Sequence, residues 1–410
     1  MANRFSRCSD VCAGPHPSWL ARIWLALWCL ILSACGGSGD GTAGNPGGTP
    51  SGTSIKTVLI AQGLSSPWGM VFMPDGRLLV TEKAGTMRLV SMNGQVSGAI
   101  TGLPPVANAG QGGLLDVQLD PDYPSTPWIY WSYAEPGVNA EAGLAGTAVA
   151  RGRLTELIMG NIQVIFQQRP KVAGGNHFGS RLAFARDKTL FITLGERMQD
   201  DPANPGVDNA QNLAKHLGKI VRINRDGGIP GDNPVFGGGL ALPGIWSLGH
   251  RNVQGAAIHP VTGELWASEH GPQGGDEINL VRAGRNYGWP LRSYGCPYGA
   301  TPGEACRVGG GVHAPSFEEP LSYWVPTSTA PSGMAFNTGA RYPGWEGNLF
   351  VGSLAGQTLW RLSVDNEHVL AREALLSNVI GRIRDVVLGP DGWLYVMTDG
   401  DNARIYRIER

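Results

Sequence analysis

Charge is scarce in this chain of 410 residues and neither sign leads: Lys and Arg number 32, Asp and Glu 33, and charged residues are 16% of the sequence. With no basic block or stripe, neither a nucleic-acid backbone nor an anionic membrane surface is indicated as a partner. Sustained helical periodicity is missing too; one short turn between Asp208 and His216 is all the pattern supports. Three common catalytic signatures are absent. There is no Gly-x-Ser-x-Gly elbow, no glycine-rich phosphate loop opening a helix, and no cysteine set up as a nucleophile. What is plentiful is glycine (61), proline (29) and tryptophan (13). Disorder would lack the aromatics, so this composition reads as tight turns between short packed strands.

The six cysteines divide by position. Arg4, Arg7 and Arg22 precede an apolar run, Ile23 to Leu32, too short to span a bilayer comfortably as a permanent helix. The run ends in Leu32-Ser33-Ala34-Cys35, followed by Gly36-Gly37-Ser38, which resembles a bacterial lipobox with Cys35 as the lipidated first residue. A cleaved signal peptide with an incidental cysteine is the alternative. Gly36 after that cysteine resembles the outer-membrane sorting pattern, so residues 1–35 are expected to be a lipoprotein signal and the mature protein to face the periplasm. Residues 36–54 are rich in Gly, Ser, Thr and Pro and read as a flexible tether. Only Cys296 and Cys306 remain in the body of the chain, and in an oxidising compartment they are expected to form a disulfide.

From Ile55 onward one unit recurs: a short alternating strand, a turn with Pro, Asp or Gly, and a second strand. Its copies are Gly69–Glu82, Leu115–Tyr133, Arg181–Leu194, Gly255–Ser268, Gly333–Ser353 and Asp385–Thr398. Six hairpin-centred units predict an all-β, six-bladed β-propeller over residues 55–410 rather than a sandwich or barrel. The last unit shows three strands, and Lys56–Ala61 is left over before the first. It is expected to complete the last blade and close the ring, removing two sheet edges. Long loops are expected near Glu135–Thr147, Met198–Gln211, Asp226–Pro243 and Tyr287–Ser328, framing a cleft over the central channel.

The stretch richest in potential ligands runs from Trp266 to Asn279 and on to Pro290. A strand ends at Ser268, and a loop of glycines and acids follows before apolar sequence resumes at Ile278. Glu269, Asp276 and Glu277 supply hard oxygens, and Gly and Pro leave backbone carbonyls free, which is what calcium (Ca2+) needs. A solvated turn is the plain alternative. Other polar residues lie in glycine-rich contexts just before inner strands: Gln111, His177, and the pairs Arg251-Asn252 and Arg382/Arg384. A lone histidine is more often a satisfied turn residue, and arginines on a blade surface commonly pair with an acid such as Asp385. Taken together, three arginines, a histidine and a calcium loop suggest an anionic, metal-bound organic cofactor beside a general base.

The motifs Gly-Gln111-Gly-Gly, Gly-Gly-Asn-His177-Phe-Gly-Ser-Arg, Gly-His-Arg251-Asn252, Ser-Glu-His-Gly271-Pro272, Asp276-Glu277-Ile-Asn, Asn-Tyr287-Gly-Trp-Pro, Ala-Pro-Ser-Gly-Met and Arg382-Ile-Arg384-Asp run in order from about residue 56 to the C-terminus. Together they resemble the soluble glucose/sorbosone dehydrogenase family, six-bladed propellers that oxidise aldose sugars with pyrroloquinoline quinone (PQQ) and calcium. The resemblance implies oxidation at C1 to a lactone, with electrons passed to an external acceptor (a quinone, cytochrome or dye), in a monomer or homodimer. By motif, His177 would be the base and Glu196 its orienting carboxylate. Gln111, Arg251, Asn252, Asp276, Ser328 (or neighbouring Thr327), Arg382 and Arg384 would hold the cofactor or its loop. The carbonyls of Gly271 and Pro272 would bind the catalytic calcium, and Glu277 with the Tyr287 carbonyl a second, structural one. Tyr323 and Trp324 would either stack on cofactor or sugar or simply pack.

Two positions depart from that pattern. Ala355 stands where family members commonly carry a lysine reaching the cofactor, with Gln357 or Arg341 as potential substitutes. His270 replaces a glutamine of the glucose-oxidising branch, which implies a different pocket wall. A cofactor-less carbohydrate-binding propeller and a calcium-dependent lactonase-like hydrolase are the rival readings.

Overall fold

The computed structural model describes residues 55–204 and 206–410; the leader, Cys35 and the tether lie outside the described residues. The chain forms six small antiparallel sheets arranged as a six-bladed β-propeller. Blade 1 is built from Pro67–Phe72, Leu78–Glu82 and Thr86–Val90; blade 2 from Leu114–Leu119, Ile129–Pro136, Ala145–Thr155 and Ile158–Gln167. Blade 3 comprises Gly179–Phe184, Leu190–Leu194, Lys219–Ile223 and Ile245–Leu248, and blade 4 Val253–Ile258, Leu265–Glu269, Asp276–Val281 and Ser322–Trp324. Blade 5 comprises Pro331–Phe336, Leu349–Ser353, Leu359–Val364 and Val369–Leu375. Blade 6 takes Ile383–Leu388, Leu394–Thr398 and Ala403–Glu409 from the end of the chain and Lys56–Leu64 from its described start. That last pairing is antiparallel, from Lys56 opposite Glu409 to Leu64 opposite Ala403, and closes the ring as the sequence predicts.

Both faces of each blade are buried, so alternation along a strand sorts side chains between neighbours instead of between core and water. Leu78 and Val80 pack toward blade 6 while Leu79 between them packs toward blade 2. Trp266 packs toward blade 5 while Leu265 and Ala267 pack toward blade 3. Each interface between blades has its own apolar cluster. Hydroxyls on four second strands stitch blade to blade. Thr81 donates to the Leu115 carbonyl, Ser132 to Ser180 at 2.6 Å, Thr193 to Val253 at 3.0 Å and Ser268 to Ser332 at 2.9 Å.

The expected loops need adjustment. Glu135–Thr147 is a loop over residues 137–144, and its two ends belong to strands because Pro136 pairs with Ala145. Tyr287–Ser328 supplies the outer strand of blade 4 at Ser322–Trp324. Within it Cys296 and Cys306 are disulfide-bonded, with Cα atoms 5.1 Å apart. Asn209–Gln211 is a single 3-10 turn, the short turn expected near Asp208.

At the axis sits one arginine. Arg181 of blade 3 places Nη1 3.0 Å from both Asp116 of blade 2 and Asp385 of blade 6, and Nε donates to the Gln254 carbonyl of blade 4 at 3.1 Å. Its guanidinium lies over the Trp68 ring of blade 1 at 4.3 Å. Gly69 and Gly333 flank the carboxylates; a Cβ at Gly69 would stand 2.6 Å from the Asp116 carboxylate, and one at Gly333 would run into Asp385. All six inner strands therefore meet around this ion triad, and the three charges are almost wholly buried. Burial pushes the Asp385 carboxyl up to about 6.

Replacing Arg181 with Met should cost about 3–5 kcal/mol, since it strands two carboxylates in the interior. Urea unfolding would read this as a lower midpoint at pH 8. The loss should shrink at pH 5: carboxyls whose folded pKa lies above the unfolded value lose stability as pH rises between the two. An unchanged midpoint at pH 8 would show that the triad does not hold the ring.

Candidate active site

His177 enters from the turn before the inner strand of blade 3, in a left-handed conformation (φ 48°). Its N–H donates to the Gln111 side chain at 2.9 Å, and its Nδ1 lies 2.6 Å from Glu196 Oε1. A Cβ on Gly195 would strike the His177 carbonyl, so that glycine permits the approach. Glu196 is anchored in turn: its N–H donates to the Arg251 carbonyl, and Oε2 accepts from the N–H groups of Gln199 (2.6 Å) and Asp200 (3.2 Å). The carboxylate thus fixes the His177 proton on Nδ1 and leaves the Nε2 lone pair facing away from it. No protein group among the described residues bonds to that Nε2. Burial holds His177 below the usual histidine range, with Glu196 opposing and Arg251 adding to the shift. A buried, carboxylate-oriented, neutral imidazole with a free nitrogen has what a general base requires.

Arg197 locks the turn that carries it. The guanidinium lies over the Phe178 ring at 3.5 Å and donates to the carbonyls of Asn176 (2.8 Å), Ala145 (2.6 Å) and Gly174. The far end of the Glu196 loop is fixed by Asp200, which accepts from Asn209 and Ala210, and by the buried Lys219 ammonium, which donates to three carbonyls at 2.8–3.1 Å.

Near His177, on the other side of Gln111, is a cavity of about 300 Å3. Gln111, Arg382 and Arg384 line it, together with Lys83, His270 and Trp68. Gln111 joins base to cavity, since it also holds the His177 backbone. Arg382 and Arg384 share one carboxylate, and it is Asp399, not Asp385, which belongs to the axis; Arg382 Nε reaches it at 2.9 Å and Arg384 at 3.1 Å. His270 gives Nε2 to the Pro331 carbonyl at 2.8 Å and is pushed down to about 3 by burial and by neighbouring Arg251, His177 and Arg384. It is a neutral wall residue.

The other expected site residues lie behind this wall. Arg251 donates from Nη1 to the Gly271 carbonyl at 2.7 Å and from Nη2 to Tyr298 at 2.9 Å. Asn252 accepts from Gly179 and Gln254 at 3.2 and 3.1 Å. Arg251 Nε and Asn252 Nδ2 are buried without partners. Asp276 and Ser328 do not reach the cavity with free atoms. The buried Asp276 carboxylate accepts from Gly271, Ser328, Thr329 and Ala330 at 2.6–2.9 Å, and so ties the Gly271-Pro272 turn to the strand entering blade 5. Tyr323 is spent on Tyr294, stacked at 3.7 Å, and Trp324 belongs to the core between blades 4 and 5. Ala355 is exposed just past Ser353. Arg341 stacks on Trp393 and donates to the Asp391 carbonyl, so it offers nothing to the cavity.

Three features were missed in the sequence. Lys83 and Asp399 carry no motif. The third is a buried chain, Ser247 Oγ to His250 Nε2 at 2.8 Å and His250 Nδ1 to Glu269 at 2.9 Å. It has the connectivity of a hydrolase triad, but Ser247 and His250 are fully buried. Glu269 also accepts the Arg251 N–H, so the chain clamps two loops instead of attacking a substrate. His250 and Glu269 were legible, in Gly-His-Arg-Asn and Ser-Glu-His; Ser247 carries no motif, and the contact among the three was not legible.

The donor sets can be compared with the groups they would hold. A cavity with excess cations, next to two orphaned buried donors, suits an acceptor-rich anion. Of the two turn carbonyls, Pro272 accepts no hydrogen bond among the described residues, whereas Gly271 is shared with Arg251. Glu277 is buried beside Glu269, which helps push its carboxyl well above the usual range. The Asn279 side-chain amide oxygen next to it is buried without a partner, and the Tyr287 backbone carbonyl accepts no bond among the described residues. Repelling carboxyls with idle oxygens fit a hard cation. Among the described residues no three His, Cys, Asp or Glu side chains converge as a ligand set, so backbone and amide oxygens would complete it.

Fold and site define a propeller enzyme with a carboxylate-backed histidine beside a cationic axial cavity. The profile of the glucose/sorbosone dehydrogenase family matches residues 64–407, and the chain belongs to that family, an oxidoreductase of the sugar-dehydrogenase class. It is 39% identical over 358 residues to aldose sugar dehydrogenase YliI of Escherichia coli (strain K12), covering 87% of this chain and 93% of that protein. A solved glucose dehydrogenase superposes with a TM-score of 0.79 at 43% identity, covering 86% of this chain and 99% of that one. The PQQ-bound aldose sugar dehydrogenase of Streptomyces coelicolor superposes at 0.69 with 29% identity, covering 87% and 98%.

In an NMR pH titration of the protein without cofactor, His177 should titrate below 6.5. Glu196→Gln should lower the midpoint further, because the carboxylate that favours the imidazolium is gone. A midpoint at or above 6.5 in the parent protein would contradict a His177 imidazole held neutral by burial.

Proposed function

We propose that this protein oxidises aldose sugars at C1 to lactones, with PQQ in the axial cavity and calcium at the Gly271-Pro272 turn, and passes the electrons to an external acceptor. The observation that carries this reading is the Glu196-backed His177, with its idle Nε2, beside a cavity whose cations outnumber its carboxylates. Bound PQQ would supply the quinone that accepts the C1 hydride and polarisation by calcium. The rest falls to the chain's own residues. His177 Nε2 takes the anomeric hydroxyl proton as the C1 hydride leaves, and Glu196 stabilises the imidazolium so formed. Arg382 and Arg384 hold carboxylates of the cofactor, with Arg251, Asn252 and Gln111 donating from one side. Asp276 and Ser328 contribute by bracing the turn that carries the calcium carbonyls. Glu277, with the Tyr287 carbonyl and the idle Asn279 oxygen, holds a second, structural calcium.

The sequence before residue 55 supports export, with residues 1–35 as a lipoprotein signal, Cys35 as the only membrane attachment and 36–54 as a tether; the propeller then works on the periplasmic side of the outer membrane. Among the described residues no helix is long and apolar enough to cross a membrane. The lactonase-like rival needs inward carboxylates around a metal, and the one carboxylate lining the cavity, Asp399, is already shared by two arginines. The binding-propeller rival rests on Ala355. A missing charge-assisted bond of about 1.5–3 kcal/mol weakens cofactor affinity roughly ten- to a hundredfold, which is short of abolishing it.

Calorimetric titration of PQQ into the calcium-loaded protein should show saturable one-to-one binding, followed by dye reduction with a panel of aldoses. No uptake at tens of micromolar PQQ would overturn the dehydrogenase reading in favour of the binding propeller. His177→Ala should keep PQQ binding while turnover falls by about 10²–10⁴-fold, the usual worth of a general base. Full activity in that variant would displace His177 from the role.

Calcium removal by a chelator should abolish dye reduction and lower the thermal midpoint, and readdition should restore both. In Glu277→Gln the thermal midpoint should respond less to calcium, since a binding carboxylate is lost. An identical calcium response in parent and variant would remove Glu277 from the structural site.

A further inference from the structure

Lys83 follows the second strand of blade 1 and lines the axial cavity. Its ammonium donates to the Gly110 carbonyl at 2.6 Å, and no carboxylate among the described residues lies within salt-bridge distance. Around the cavity, Lys83, Arg382 and Arg384 face a single carboxylate, Asp399, and both arginines already engage it. The blade 5 side contributes Leu354, which carries no charge, and Ala355 next to it is exposed. Burial first, and then the charge of Arg384, disfavour the ammonium form of Lys83, with Asp399 opposing from beyond contact distance. A half-buried ammonium tied to one neutral carbonyl, in a cavity with surplus positive charge, lacks its counter-ion.

We infer that Lys83 is a cofactor-binding residue: its ammonium pairs with a carboxylate of PQQ and supplies from blade 1 the charge that blade 5 lacks at Ala355. The inference rests on the proposed function, because it takes PQQ as the anion. The four-carbon stem lets the amine move from Gly110 to a ligand without backbone change, and the charge-assisted bond it would make is stronger than the neutral one it gives up. The competing account is purely structural. By binding Gly110, Lys83 would merely secure the loop on which Gln111 holds the His177 backbone.

Lys83→Gln separates these accounts, since an amide still donates to Gly110 but carries no charge; Lys83→Arg keeps the charge, and Lys83→Met removes both. PQQ would be titrated calorimetrically into each calcium-loaded protein at two salt concentrations, with thermal midpoints as a check on folding. Expected are a Kd raised about ten- to a hundredfold in Lys83→Gln and Lys83→Met, near-parental affinity in Lys83→Arg, and a weaker salt dependence in the two neutral variants. Parental affinity in Lys83→Gln with a loss confined to Lys83→Met would overturn the inference and leave Lys83 as a tether. If the parent protein takes up PQQ while Lys83→Gln binds it equally well, the Lys83 assignment alone falls. If the parent takes up none, the dehydrogenase reading falls with it.

Discussion

The contact between Arg181, Asp116 and Asp385 is where the ring is made consistent. Six separate sheets have no common hydrophobic core; each apolar cluster lies between two neighbours, so packing alone fixes only pairs of blades. A guanidinium has donors in a planar fork and cannot give up its charge in the interior. Here it reaches two carboxylates and a carbonyl from blades 2, 6 and 4, with Trp68 of blade 1 against its face. Asp385 then accepts the Met70 N–H of blade 1 at 3.0 Å, and Asp116 the Leu182 N–H of blade 3 at 2.8 Å. Buried ion groups contribute little net stability compared with apolar residues of the same size, but their geometry is exacting. The triad accordingly acts on the angular relation among blades more than on the total free energy.

A histidine buried in a left-handed turn depends on such a frame. Positive φ in a non-glycine residue costs of order 1–3 kcal/mol and persists only where the surroundings over-determine it. His177 is held by Gln111 from the loop before blade 2, by Glu196 from the far end of its own blade's hairpin, and by Arg197, whose guanidinium engages the Asn176 carbonyl just before it and the Ala145 carbonyl of blade 2. Loosening any blade boundary would let water reach the imidazole and raise its proton affinity toward the ordinary value. Burial, and so reactivity, is a property of the ring.

Much of this was legible in the sequence. Hairpin units are local, and their alternation survives because each blade buries both faces; the closing strand could be placed by counting, since Lys56–Ala61 was the piece left over, and it extends to Leu64 in the structure. His177, Glu196, Gln111 and the arginines sit in glycine-rich turns whose order is distinctive. What could not be read was partnership across the ring. Arg181 and Asp385 are 204 residues apart, and nothing local to either indicates the other. Asp385 follows Arg384 directly and invited a pairing that strand alternation forbids, because adjacent residues point to opposite faces; Asp399, on the neighbouring strand's exit, takes both arginines instead. Lys83 was passed over because a single lysine after a strand resembles any solvated turn. The hydroxyls of Thr81, Ser132, Thr193 and Ser268 looked like ordinary strand polarity, yet they occupy equivalent places in four blades.

Gln254 shows how frame and site are joined. Its backbone carbonyl accepts from Arg181, its side-chain oxygen accepts from Arg384 at 3.1 Å, and its amide donates to Asn252 at 3.1 Å. Below it the charges nearly balance, one guanidinium against two carboxyls of which Asp385 is pushed toward protonation. Above it the balance is broken in favour of cations. A neutral amide is suited to that boundary, because it satisfies donors on one side and acceptors on the other without moving charge between them. Had the axial carboxylates faced the cavity directly, they would have neutralised Arg384 and left little attraction for an anionic ligand. Keeping them one residue below, behind Gln254, lets the same ring be rigid through ion pairing and still present uncompensated positive charge where a ligand enters.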